Sequence, residues 1–180
     1  VVCNWLLERL VRTARQLGPD QVWADAVMAR WLWEPDGLDL PCFLANDDVR
    51  TGYHLQRWQQ EGPDSLAELC SRFLDRRLLK AMAVEHIGSE DQLKALAIAG
   101  RLAESIGLDP ASCCGLRHQQ IRGYHPYRGG LRLWNGRRLQ ALEQASALVA
   151  SLSTPAETSW LIHPREIQED LQAALDGEGF

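Results

Sequence analysis

Metal-assisted hydrolysis of a phosphate ester needs imidazoles and carboxylates that converge on one or two cations. The histidines of this chain are His54, His86, His118, His125 and His163, and none is followed by Asp. His54 has no carboxylate three or four residues away, so it reads as a partly exposed helix histidine, and His86 reads the same way. The best metal-like group is Cys113-Cys114 with His118 and His125. Two thiols and two imidazoles suit tetrahedral zinc, but adjacent cysteines seldom close on one ion, and the usual pair is separated by two to four residues. Asp47-Asp48 is a carboxylate pair. Neighbouring helical side chains point about 100° apart, so the pair suits a helix N-terminus, where acids oppose the dipole, better than acid–base catalysis. The chain has no Gly-x-x-x-x-Gly-Lys-Ser/Thr loop, no Gly-x-Gly-x-x-Gly and no Gly-x-Ser-x-Gly. No catalytic residue, metal ligand or cofactor-binding residue is therefore expected in it.

Cations are the stronger signal. From Pro110 to Leu142 there is no Asp or Glu, while Arg117, Arg122, Arg128, Arg132, Arg137 and Arg138 all fall there, against a formal net charge of -5 for the whole chain. Arg128 with Gly129-Gly130 can bring backbone amides close to a phosphate, Arg132 follows, and Tyr124 and Tyr127 can stack on a base. The alternative is that these arginines pair with the acidic first half, within the chain or across a dimer. A second basic run, Arg76-Arg77-Leu78-Leu79-Lys80, puts Arg76 and Lys80 four apart. On a continuing helix they share a face and call for an anion between them. The expected anion contacts are thus Arg76, Lys80, Arg128 and Arg132.

The elements that must position these residues are mainly helices. Apolar spacing predicts a helix over 1–17 stopped by Gly18-Pro19, one from Asp20 to about Trp33, and one from about Asp47 to Gln59 under an Asn46 cap. Ser65-Leu66-Ala67-Glu68 and Ser89-Glu90-Asp91-Gln92 are capping-box patterns. The helix opened by the first should end near Arg76–Lys80. After Gly107 the texture changes. Strands are expected over 117–124 and 130–134, and Asn135-Gly136 signals a hairpin returning through 138–142. Ser146 and Thr154-Pro155-Ala156-Glu157 look like helix starts, and a last helix is expected over about 164–175. The fold class is mainly α, with a helical portion over 1–87 and a smaller α+β portion over 88–180 that carries a hairpin near 130–142.

These residues resemble a family. Phe43-Leu44-Ala45-Asn46-Asp47-Asp48-Val49 through Leu55-Gln56-Arg57-Trp58, followed by Leu69-Cys70-Ser71-Arg72-Phe73-Leu74-Asp75-Arg76-Arg77-Leu78-Leu79-Lys80, is similar to the helical C-terminal part of HD-superfamily dNTP triphosphohydrolases. That group includes the mammalian SAM- and HD-domain enzyme and bacterial relatives. Gly123-Tyr124-His125-Pro126-Tyr127-Arg128-Gly129-Gly130-Leu131, Ser146-Ala147-Leu148-Val149 and Leu161-Ile162-His163-Pro164 resemble the tail of bacterial members. Val2-Cys3-Asn4-Trp5-Leu6-Leu7-Glu8 is similar to the helix after the catalytic core. The resemblance implies that the chain is truncated after that core, with the His…His-Asp…Asp ligands and their divalent metal upstream of Val1. It also implies that Arg76 and Lys80 touch a regulatory nucleotide.

The expected function is accordingly the C-terminal segment of a metal-dependent phosphohydrolase acting on dNTPs or related esters, inactive on its own. Its expected partners are the upstream HD core, nucleotide and further copies of itself. Two rivals from other classes are a non-catalytic helical interaction module and an arginine-rich nucleic-acid-binding hairpin. The five cysteines are odd in number and scattered, which fits a reducing, cytoplasmic setting better than a disulfide framework. No apolar run is long enough to span a membrane.

Overall fold

A computed structural model of the chain describes residues 1–121, 123, 130–153 and 155–179. The fold is mainly α with a smaller α+β part, as the patterning implies. Helix α1 (Val2–Leu17) buries Trp5, Leu6, Leu10 and Ala14 along one stripe and ends at Gly18, whose φ of 80° suits a residue without a side chain. Helix α2 (Ala26–Trp33) starts later than the Asp20 cap predicts. The chain first turns through Val22, whose N–H reaches the Gly18 carbonyl at 3.1 Å. Asp25 then caps the helix by accepting from Val27 and Met28. Helix α3 (Leu40–Ala45) is capped by Asp39. Helix α4 (Asp48–Glu61) is capped by Asp47, not Asn46, so the acidic pair sits at the dipole's positive end.

Helix α5 (Asp64–Leu74) begins after Pro63 and buries Leu66, Leu69, Cys70 and Arg72. It stops at Leu74, short of the expected end. Lys80 belongs instead to strand β1 (Lys80–Ala83), so Arg76 and Lys80 do not share a helical face. The reason is tertiary: Lys80–Ala83 finds a ladder partner, which a short apolar run outside a sheet lacks.

Helix α6 (Ser89–Ser105) lays its small residues Ala95, Ala99 and Ala103 into the core, and the Gln92 amide ties its start to the Val84 and Ile87 carbonyls at 2.9 and 3.1 Å. A short helix α7 (Pro110–Cys113) leads into β2 (Gly115–Ile121). The hairpin forms as expected, β3 (Arg132–Trp134) against β4 (Leu139–Ala141). Asn135 accepts from the Arg137 and Arg138 amides, and Gly136 takes φ 91°. Helices α8 (Leu142–Ala145) and α9 (Ala147–Ser153) follow, the latter opened by Ser146.

The helix expected from Pro155-Ala156-Glu157 is a strand, β5 (Ala156–His163). Thr158, Trp160 and Ile162 favour extended backbone, and β5 pairs antiparallel on both sides to give the order β1-β5-β2. A 3-10 turn (Arg165–Ile167) and helix α10 (Gln168–Glu178) close the fold. Leu161 and Ile162 are buried in the central strand, and a single core cluster joins residues on both sides of position 87. No helix among the described residues is long and apolar enough to cross a membrane.

Candidate functional site

Three elements meet where α5 runs out. The Asp75 amide donates to the Ser71 carbonyl at 2.9 Å, and Arg76 then takes φ 56°. Left-handed backbone at this place just past a helix is the usual post of glycine, and a residue with a Cβ costs about 1 kcal/mol there. Lys80 opens β1 opposite His163 of β5. Past His163 the chain turns through Pro164 into Arg165. Lys80 and Arg165 thereby line one surface cleft of about 540 Å³ with Glu166, Gln168, Glu169 and Asp170.

The charges of this corner divide into two sets. Arg72 is buried, and its Nε and Nη2 reach Glu68 Oε1 at 2.9 Å and Glu166 Oε1 at 3.3 Å. Arg77 meets the other Glu68 oxygen at 3.4 Å. Burial pushes the Glu166 carboxyl up, but its own backbone amide and Arg72 outweigh that and hold it below the usual carboxylate range. By contrast, Arg76, Lys80 and Arg165 form no ion pair among the described residues. Of these three, Lys80 and Arg165 line the cleft together with two acids, Glu169 and Asp170, from the first turn of α10, and Arg76 is not among its lining residues.

His163 is the ladder partner of Lys80 and is buried. Burial and then the neighbouring ammonium of Lys80 lower its affinity for a proton, against the pull of its bond to the Pro164 carbonyl at 2.8 Å. Its folded pKa therefore lies below the unfolded value of about 6.5. Below that pH the unfolded chain takes a proton that the folded chain resists, so stability falls as the solution is acidified. Thermal unfolding midpoints measured from about pH 7.5 to 5.5 should slope less steeply in His163→Gln than in the wild type.

The other expected positions lie apart from this corner. Arg132 is exposed on β3, in the separate two-stranded sheet. Arg128, with Tyr124, Tyr127, His125 and Gly129, lies outside the described residues. His118 is exposed on β2 and bonded to Ser159 Oγ at 2.8 Å, while Cys113 and Cys114 are buried with their sulfurs 3.9 Å apart. No group of three or more His, Cys, Asp or Glu among the described residues is placed to hold a metal ion. Arg117 of the basic stretch pairs with Glu8 of α1 at 2.6 Å, within the chain.

Sequence reasoning missed three residues. His54 is fully buried, not partly exposed: its ring joins α4 to the start of α2 and stacks on Trp23 with centroids 5.0 Å apart. Arg72 is buried as well, and the available signal was Glu68 four residues before it on an otherwise apolar helical face. Arg165 carried no local signal, because only the β1–β5 register brings it beside Lys80.

Against known proteins, no family model matches the chain, and no curated protein matches it. Solved structures do. A phosphohydrolase from Bacteroides thetaiotaomicron superposes over 92% of this chain with a TM-score of 0.68 at 15% identity. A hypothetical protein from Aquifex aeolicus covers 83% with a TM-score of 0.50 at 16% identity. At such identities the likeness is one of fold. The chain spans 44% and 37% of those two proteins, less than half of each.

Proposed function

We propose that this chain is the C-terminal segment of a metal-dependent HD-type phosphohydrolase, cleaving dNTPs or related phosphate esters, and that Arg76 and Lys80 hold the phosphates of a nucleotide. The observation that carries the reading is the fold shared with the Bacteroides phosphohydrolase over 92% of the chain. The family-like order of motifs in the sequence, ending in Arg76-Arg77-Leu78-Leu79-Lys80, supports it from a separate direction. The divalent metal and its ligands would lie upstream of Val1, where the metal would polarise the phosphoryl oxygen and activate water. The residues here would position nucleotide rather than cleave it.

Arg76 supports this role on energetic grounds. Arg76 sits in left-handed backbone and forms no ion pair among the described residues, a strained position of the kind that clusters at ligand sites. Phosphate is its natural counter-ion. Lys80 and Arg165 line one cleft that begins four residues beyond Arg76 in the chain.

The test uses the full-length polypeptide that carries this chain. Arg76→Gly should raise the unfolding free energy by about 0.5–1 kcal/mol, because glycine relieves the left-handed strain. Arg76→Gly with Lys80→Ala should shift the nucleotide concentration needed for activity or assembly by roughly tenfold or more. A more stable double variant with an unchanged nucleotide response would remove both residues from the site. Absence of metal-dependent phosphate or triphosphate release from the wild type would remove the phosphohydrolase reading altogether.

A further inference from the structure

Among the described residues, two exposed apolar surfaces carry opposite charge. The first is the β3–β4 hairpin. Its register sets Trp134 opposite Leu139 and Arg132 opposite Ala141. Side chains alternate along a strand and match across a pair, so Trp134, Leu139 and Arg132 share one face, and Trp134 is 65% exposed. Arg137 and Arg138 sit at the turn, and none of these three arginines forms an ion pair among the described residues. A hairpin with three-residue strands is marginal in water unless something covers it.

The second surface lies on α3 and the start of α4. Phe43, Leu44, Val49 and Tyr53 are exposed, Val49 to 80%. Glu34, Asp36, Asp47 and Asp48, in the same stretch of chain, are exposed as well. There is no Lys or Arg from Trp31 to Val49, and the neighbouring Arg30 is taken by Asp39. Several large apolar side chains exposed together among acids suit an interaction face.

We propose that the hairpin of one copy docks on the α3–α4 face of a second copy. Trp134 and Leu139 cover Phe43, Leu44 and Val49, while Arg132, Arg137 and Arg138 meet the acids of that stretch. The two surfaces match in both character and sign, and each chain carries one of each. A two-fold axis therefore makes the same contact twice and leaves neither surface open, as closed symmetry requires. Trp and Arg are also the residues that most often dominate such contacts.

The experiment is a charge exchange read by analytical ultracentrifugation. One variant carries Arg132→Glu, Arg137→Glu and Arg138→Glu. The other carries Glu34→Lys, Asp36→Lys and Asp48→Lys, which leaves the Asp47 cap of α4 in place. Wild type should dimerise, with a dissociation constant that rises with salt. Each variant alone, folded by circular dichroism, should dimerise roughly tenfold more weakly or worse. An equimolar mixture of the two should recover wild-type affinity, because both contacts of the mixed dimer again join opposite charges. Should charge reversal unfold either chain, Trp134→Ser, which only removes the anchor, should weaken the dimer instead. A wild type that stays monomeric, a dimer indifferent to both reversals and to Trp134→Ser, or folded variants that fail to recombine would each overturn the proposal.

Discussion

Replacing His54 with Ala should lower the unfolding free energy by about 3–4 kcal/mol, the sum of a core cavity and an orphaned amide. The ring is fully buried. Its Nε2 accepts the Asp25 N–H at 3.2 Å, so the proton sits on Nδ1, which donates to the Arg50 carbonyl at 2.8 Å. It stacks on Trp23 and meets Trp58 edge-on with centroids 5.7 Å apart. Alanine leaves the Asp25 amide unpaired beside a void, at the point where Asp25 also caps α2 and binds Arg50 at 2.9 Å. His54→Phe refills the void but cannot accept the hydrogen bond, and should cost about 1–3 kcal/mol. Urea unfolding of both variants separates the two contributions. A Phe variant as stable as wild type would mean that the Asp25 and Arg50 links contribute nothing. Domains of this size carry about 5–15 kcal/mol in all, so the Ala variant should lose a substantial share of the total.

Arg72→Ala should cost about 3 kcal/mol, while Arg72→Met should cost less than about 1 kcal/mol. The guanidinium is buried, but its partners are not: the side chains of Glu68 and Glu166 are 43% and 47% exposed. Remove the cation and both carboxylates return to water, so no buried charge is stranded. What alanine loses is volume, next to an existing cavity of about 200 Å³ that Arg72 lines with Leu69 and Cys113. Methionine fills that volume with a flexible chain. The pH dependence gives a second check. Glu166 is held below its unfolded pKa, so its contribution is present above about pH 4.3 and fades as pH falls through the lower folded value. The gap between wild type and Arg72→Met should therefore narrow in acid. Equal losses for Ala and Met would mean that the ion pairs, not the packing, stabilise this joint.

Local patterning made the helices legible. Gly18 and the apolar stripes of α1, α5 and α6 state their case within a turn or two of the residue concerned, whereas the cap of α4 was read one residue early, at Asn46 instead of Asp47. The Asn135-Gly136 turn is equally local. The sheet was not legible. Lys80-Ala81-Met82-Ala83 has no alternation of its own, and Thr154-Pro155-Ala156-Glu157 carries a credible helix start that β5 overrides by pairing on both edges. The same failure hid the candidate site. Arg76 and Lys80 were picked out by spacing on a helix that ends before either, and the residue that does join Lys80, Arg165, arrives through strand register from the far end of the chain. His54 was misjudged because burial depends on Trp23 and Asp25, some thirty residues away.

The order β1-β5-β2 also constrains how the protein comes into being. The strand that unites the sheet is the last one synthesised, and β1 must wait about eighty residues for its partner. On the ribosome, at roughly 5–20 residues per second, β1 and β2 emerge with unsatisfied edges for several seconds while the helical portion can already collapse. Lys80 at the start of β1, and Arg117 and His118 on β2, place charge or polarity on those waiting edges, a common guard against premature pairing. Nascent chains halted before Ala156 should accordingly be sensitive to protease at β1 and dependent on holdase chaperones, and should gain protection in a single step once Leu161 and Ile162 clear the exit tunnel.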